Sequence, residues 1–582
     1  MTPFRVERLP FDRASVEAWA GTDPRNRNWP VVYVLEGDTA STQPRAYVGE
    51  TLNAESRMRQ HLASPAKNSL RTLRVVIDDT FNKSVCLDLE SHLIRWLAGD
   101  GRFTVLNGNE GITDAGYYNR ELYRESFRDI FEQLRAEGVF ERTIPEIENS
   151  DLFKLSPFKA LTSDQAVAVE NILEALFSDL ESGTDSTAVV EGHPGTGKTI
   201  VGIFLMKLLA DIRELDESED IERDSAFAEF FVPEHKEKLR EFRMGLVVPQ
   251  QSLRDSIKKV FKKTPKLDQS MVLSPWDVGF ADKPFDLLIV DETHRLNQRA
   301  NQSSGMRNRD FRLINEKLFG TDDLAKTQLD WITDRSRHRI LLVDGEQSVR
   351  PADLPPSVVR KVLVTAHTQH RRFPLTTQMR VQAGTDYVDF VRRMLRGELS
   401  ADDPPDFGDY DLRFFDDLGG MRRAILDRNA EHSLARLVAG YAWDWVSRGK
   451  GADAYDIELD GVRLRWNSTE KDWISSPNSI NEVGSIHTVQ GYDLNYAGVI
   501  IGRDLRLDPD SCRLFVDRAS YRDVKGKENN KLLGKSYTDD DLLQYIRNVY
   551  GVLLTRGMLG TYVYVCDPAL RRYVRSAICR HQ

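Results

Sequence analysis

Apolar runs and helical spacings set out the elements of this chain before any chemistry is considered. After Trp29 the run PVVYVLEG predicts a strand, RAYVGET around Tyr47 a second, and the turn-rich GDTASTQP between them makes the pair a hairpin. Apolar positions at helical period then predict a helix over 54–62, a strand over 73–77, and a helix over 85–97 closed by Gly99. This small α/β unit ends near residue 115. A charged helical stretch, 121–137, leads into residues 140–160, where Pro145 and Pro157 mark a connection. From Thr162 to about residue 355, strands at 188–190, 245–248, 287–290 and 340–343 alternate with helical segments, the pattern of a parallel doubly wound sheet. Strands at 497–501 and 561–565 predict a second sheet of this kind. The acidic run from Glu214 and the polar run from Asn297 read as insertions or surface segments, and Trp443 and Trp445 in AWDWV as parts of a helix.

Composition narrows the class. The 582 residues are 40% hydrophobic and 29% charged, the balance of a soluble globular chain with several cores. No apolar run approaches the roughly 18 to 20 residues that span a bilayer. The start, MTPFRVERLPFDR, lacks the apolar segment of a secretory signal, so a cytoplasmic location and no membrane partner are expected. Cys86, Cys512, Cys566 and Cys579 show no metal-knuckle or redox spacing. A net charge of −10 argues against a nucleic-acid binder that works by bulk charge, so a polyanion must be met by patches. The basic helical stretch from Arg254 to Lys263 is one candidate.

The strongest chemical signal is Gly192-His193-Pro194-Gly195-Thr196-Gly197-Lys198-Thr199, which fits G-x-x-x-x-G-K-[ST] directly after the strand 188–190. Its glycines let backbone N–H groups close round phosphates, Lys198 reaches the β and γ oxygens, and Thr199 ligates Mg²⁺. The run Phe285 to Glu292 supplies the acidic strand end that such a loop needs. There Asp291 would hold Mg²⁺ and Glu292 would serve as general base on the attacking water. ATP and Mg²⁺ are the cofactors implied.

With that pair in place, the sequence resembles superfamily 1 helicases, and further motifs follow in their order. Gln165 in LTSDQ looks like their adenine-contacting glutamine, and Gln347 in DGEQ like the glutamine that senses the γ-phosphate. Arg380 in TTQMR and Arg556 in VYGVLLTRG resemble the arginines that enter the nucleotide site from the second RecA-like domain. SIHTVQGYD, Ser485 to Asp493, resembles the motif that contacts both nucleic acid and nucleotide, which makes Gln490 and Gly491 candidate contacts. The wording QGYD, GVIIG and NVYGVLLTRG most resembles the Schlafen group 3-type DNA/RNA helicase domain of many bacterial proteins, over about residues 160–570. Val343 stands before Asp344 where superfamily 1 proteins commonly have glycine.

The first unit carries Val31-Val32-Tyr33, Tyr47-Val48-Gly49, Arg57, His61, Glu90 and Asn107 in order. Arg57 and His61, at i and i+4, face the same way. Glu90 shares a helix face with Cys86, Leu93 and Leu97, a carboxylate along an apolar stripe, which calls for a partner such as a divalent metal. This set resembles the GIY-YIG nuclease domain over residues 29–115, with Val31 where the family name has glycine. By resemblance Glu90 is the single ligand of Mg²⁺ or Mn²⁺, Tyr33 or Tyr47 helps deprotonate the attacking water, and Arg57 stabilises the pentavalent phosphate.

The expected fold is therefore α/β: a small GIY-YIG domain with a helical linker over 1–145, a first RecA-like parallel-sheet domain over 160–360, and a second over 361–582 with an insertion near 400–475. The expected activity is an ATP-driven DNA helicase or translocase joined to a metal-dependent endonuclease. DNA is the expected partner, with RNA not excluded and a partner protein from a defence operon open. Antiviral defence or restriction is the expected setting by fold-level analogy, with repair as an alternative. A second reading makes the RecA-like pair an ATP-gated sensor that switches the nuclease without unwinding.

Overall fold

The computed structural model describes residues 4–579 apart from 39, 42, 109–115, 216–226, 300–301, 303, 346–349, 400–405, 449–453, 470–472 and 490–491. The acidic run from Glu214 falls largely outside these. Among the described residues the strands form sheets of five, six and seven, with a separate two-stranded ribbon, so the chain is mixed α/β as expected. It divides into two compact units. One takes in Met1–Leu180, Thr199–Phe242 and Ser256–Val272; the other takes in Glu181–Lys198, Arg243–Asp255 and Leu273–Gln582. No helix among the described residues is long and apolar enough to cross a membrane.

In the first unit the five strands lie in the order Arg5–Pro10, Leu70–Ile77, Val31–Gly37, Arg45–Thr51 and Thr104–Val105. The predicted hairpin forms with Tyr33 opposite Gly49 and Leu35 opposite Tyr47. Every residue from Val31 to Gly37 is buried because helices cover both faces of the strand. Val31, Tyr33 and Leu35 share one core with Ala54 and Met58, while Val32 and Val34 share another with Leu89, Leu93 and Leu97. The strand Arg5–Pro10, which no apolar run or period predicts, pairs antiparallel with Leu70–Ile77.

The helix Lys83–Asp100 is longer than expected. Asn82 caps its start by accepting from Val85 N, and Gly101 at φ 73 closes it. Gly99, expected to end the helix, has another use: a Cβ there would stand 2.8 Å from both Ile147 Cγ2 and Phe153 Cβ, so its lack of a side chain admits the next helices.

In the second unit the six-stranded sheet has the order Arg372–Leu375, Ser186–Gly192, Ser336–Val343, Phe285–Val290, Met244–Val247 and Val272–Leu273, with parallel pairing across its first five strands. Leu375 pairs with Gly192, so this sheet takes in chain beyond the boundary expected at 360. Part of the polar run after Asn297 is the helix Gly305–Phe319.

The seven-stranded sheet has the order Asp411–Phe414, Gly557–Val565, Leu494–Ile501, Ala435–Ala439, Glu482–Ser485, Val462–Trp466 and Ile457–Leu459. The stretch expected as an insertion near 400–475 thus supplies four of its strands, and Ala435–Ala439, buried throughout, lies mid-sheet between two partners from later in the chain. Trp443 and Trp445 are not helical. The Asp456 carboxylate accepts from the N–H and hydroxyl of Ser447, both at 2.7 Å, and holds that stretch as a turn.

Candidate functional site

The phosphate loop joins the strand Ser186–Gly192, buried at Val189, Val190 and Gly192, to the helix that Lys198 opens, Lys198–Arg213. Gly195 and Gly197 sit at φ 87 and 79, which only glycine adopts freely. A Cβ at Gly192 would overlap Thr196 Oγ1. Lys198 is 7% exposed, and its ammonium donates to the carbonyls of Gly192 at 2.6 Å and His193 at 3.0 Å, inside the loop. Asp344 Oδ2 stands 3.7 Å away. Thr199 is half-buried in the helix's first turn.

Asp291, fully buried, closes the strand Phe285–Val290 and accepts from Glu292 N. Glu292 has φ 47, a left-handed conformation that costs a side-chain-bearing residue and here aims its carboxylate. His294 Nε2 lies 3.0 Å from Glu292 Oε2, and His294 Nδ1 accepts from Asp344 N at 3.3 Å. His294 therefore links the expected general base to the expected sensor strand end. Burial pushes the Glu292 carboxyl up, but His294, Arg295 and Lys198 outweigh it and hold the group below the ordinary range. His294 was not singled out in the sequence, because nothing in its spacing marks it.

The segment carrying Arg380 lies against this loop. Gln378 donates to Pro194 O at 2.7 Å, and Met379 N donates to Gly195 O at 2.9 Å, so TTQMR lies against the phosphate loop. Arg380 pairs with Asp493 of the SIHTVQGYD motif. Arg556, 3% exposed, donates to Tyr492 O at 3.0 Å. Burial, with Arg380 close by, pulls its guanidinium down to about 9. Gln347, Gln490 and Gly491 lie outside the described residues. In the first unit, Gln165 is fully buried and accepts from Thr162 N at 3.1 Å at the start of its helix. Arg254 is no part of a basic surface: it is 8% exposed and donates to Val248 O, which leaves Lys259, Lys262 and Lys263 as the exposed cations of the helix Gln251–Lys263.

In the first unit Tyr33, Tyr47, Arg57, His61 and Glu90 gather on the hairpin and its two helices. Tyr33 is fully buried, and its hydroxyl stands 2.7 Å from His61 Nε2. The Tyr47 and His61 rings are 5.1 Å apart. A Cβ at Gly49 would overlap Tyr33 Oη and Cζ, so this glycine is the space that the Tyr33 ring fills. Burial drives the Tyr33 phenol well above its usual range, Tyr47 adds to that, and Arg57 pulls the other way. Glu90, half-buried, is near enough to act on both Tyr33 and Cys86. Asn107 is placed differently from the expectation: both ends of its amide bind the backbone of Val48, Oδ1 accepting at 3.1 Å and Nδ2 donating at 2.8 Å. Two further residues bear on the cluster and were not foreseen. Glu50 is buried and ion-paired to Lys83, and Lys67 lies 2.8 Å from His61 Nδ1.

Among the described residues no group of three or more His, Cys, Asp and Glu gathers to hold a metal. A site built on Glu90 alone suits Mg²⁺, which keeps several waters and takes one or two carboxylates. Thr199, next to Lys198 in sequence, carries a hydroxyl, and Asp291 carries a carboxylate; these are donor types that suit a nucleotide-bound Mg²⁺.

An alignment of 465 residues at 26% identity, covering 73% of this chain and 93% of its relative, joins it to YPL245W, an uncharacterized protein of Saccharomyces cerevisiae (strain ATCC 204508 / S288c). A Pif1 helicase from work on DNA unwinding at forked double-stranded DNA aligns with 69% of this chain and 92% of its own, at 10% identity and a TM-score of 0.25. Bacteroides Pif1 bound to single-stranded DNA aligns with 67% and 91%, at 10% identity and a TM-score of 0.23. The family model of the Schlafen group 3, DNA/RNA helicase domain matches residues 185–567, well over half of the sequence, and the chain belongs to that family.

Proposed function

We propose that this chain hydrolyses ATP to move along, or unwind, DNA. One observation carries the reading: within one compact unit, Lys198, Glu292 and Asp344 surround the phosphate loop, and the segments bearing Arg380 and Arg556 reach the same place. Lys198 would bind the β and γ oxygens, Glu292 would take the proton of the attacking water, and the two arginines would meet charge growing on the γ-phosphoryl group. Mg²⁺, for which Asp291 would offer a carboxylate, would supply charge neutralisation when bound. The test is ATP turnover with and without single-stranded DNA or RNA, together with displacement of an annealed strand. Strand-stimulated turnover that vanishes in Lys198→Ala supports the motor, and unchanged turnover in that variant would sink it. Slow turnover without displacement would favour the ATP-gated sensor.

We further propose that the first unit cleaves phosphodiester bonds. The meeting of Tyr33, Tyr47, His61, Arg57 and Glu90 supports this reading. Tyr33 or Tyr47 would help deprotonate water, Arg57 would steady the phosphate, and Glu90 would hold Mg²⁺ or Mn²⁺, which would supply electrostatic stabilisation when bound. Supercoiled plasmid should be cut with either ion by the wild type and left intact by Glu90→Ala; equal cutting by both would remove Glu90 from the site. The setting we propose is the cytosol and defence against foreign DNA, with a partner protein encoded beside it and repair as the alternative. Phage plating on cells carrying wild type or Glu90→Ala tests it, and equal plaque counts would count against defence.

A further inference from the structure

Lys67 ends the short turn Pro65–Lys67 that follows the helix Ala54–Ala63. Its ammonium lies 2.8 Å from His61 Nδ1 and 3.7 Å from the centre of the Tyr47 ring. A lysine ammonium has three donors and no acceptor, so His61 Nδ1 must offer its lone pair. His61 itself is 4% exposed, and burial, with Lys67 and Arg57 adding to it, brings its basicity down to about 2, so the imidazole is neutral. A neutral ring that accepts at Nδ1 carries its single proton on Nε2. That nitrogen is 2.7 Å from Tyr33 Oη. The direction of the whole chain follows: Lys67 donates to His61, and His61 donates to Tyr33.

We propose that Lys67 is a positioning residue that fixes the His61 tautomer and so makes the Tyr33 oxygen a hydrogen-bond acceptor inside the cleft. This rests on the nuclease reading for its purpose, but its geometry stands apart from it. His61 is then a hydrogen-bond donor to the Tyr33 oxygen, and no sink for the Tyr33 proton while Lys67 is charged. The same ammonium sits over the Tyr47 ring, whose face attracts the cation and helps hold it in place.

The experiment uses the full chain labelled with ¹⁵N-histidine, with the His61 resonances identified by their loss in His61→Gln. The wild type should give the pattern of a neutral ring protonated at Nε2. Lys67→Met, of similar length, should move the ring toward protonation at Nδ1, and Lys67→Arg should restore the first pattern. Protonation at Nδ1 in the wild type, or an unchanged tautomer in Lys67→Met, would overturn the proposal. On cleavage of plasmid with Mg²⁺, Lys67→Met should lower kcat about 10- to 100-fold with KM unmoved, and Lys67→Arg should recover most of it. A rise in KM alone would assign Lys67 to substrate binding and also overturn the proposal. Should the wild type cut nothing, the nuclease reading falls, and the His61 resonances still decide the tautomer.

Discussion

Gly49 and Asp504 show how a single residue can be tied to its surroundings by space or by charge. A methyl group at Gly49 would overlap the Tyr33 phenol directly across the hairpin. Gly49→Ala should therefore displace Tyr33 and abolish cutting while ATP turnover continues; cutting at the wild-type rate would show that the ring has other room. Asp504, 1% exposed, accepts from Tyr550 Oη at 2.7 Å, yet burial pushes its carboxyl up from 3.8 to about 6. The folded chain thus binds this proton more tightly than the unfolded chain does. Its contribution is full below about pH 4 and is lost as the pH rises through 6. Asp504→Asn should exceed the wild type in urea stability at pH 8 by up to about 3 kcal/mol and match it near pH 4. A difference that stays constant across that range would rule out the carboxylate charge as its cause. Phosphate-loop residues were legible in the sequence because their chemistry is contiguous. Lys67 and His294 were not, since each matters through a neighbour that only the fold supplies.

At the scale of elements, the hairpin could be read from two apolar runs on either side of a turn-rich stretch, and the helix carrying Glu90 from the recurrence of its apolar positions. The strand Ala435–Ala439 could not. It is five residues long, and its partners, Glu482–Ser485 and Leu494–Ile501, come from later in the chain. Asn107 shows a related limit. Its place after the long helix fitted a catalytic role, yet its amide pairs with Val48 on the strand Arg45–Thr51. Asn107→Ala should leave two buried backbone groups unpaired, cost roughly 1–3 kcal/mol, and strip hydrogen-exchange protection from the Val48 amide. Lost cutting with Val48 still protected would return Asn107 to the chemistry.

For the whole molecule, the two proposed chemistries sit on different stretches of chain, so each should fail alone. Glu90→Ala should keep strand-stimulated ATP turnover. Lys198→Ala should lose it, and whatever ATP does to plasmid cutting in the wild type should vanish with it. An ATP effect that persists in Lys198→Ala would mean that nucleotide acts elsewhere. The seven-stranded sheet carries one more consequence, which concerns synthesis. Its strand order sets Gly557–Val565 between Asp411–Phe414 and Leu494–Ile501, and Leu494–Ile501 beside Ala435–Ala439. Strands made early therefore wait for partners near the C-terminus, and the sheet cannot close until the ribosome has all but finished. A chain stalled before Gly557 would expose unpaired edges, the kind of surface that chaperones hold and that aggregates grow from.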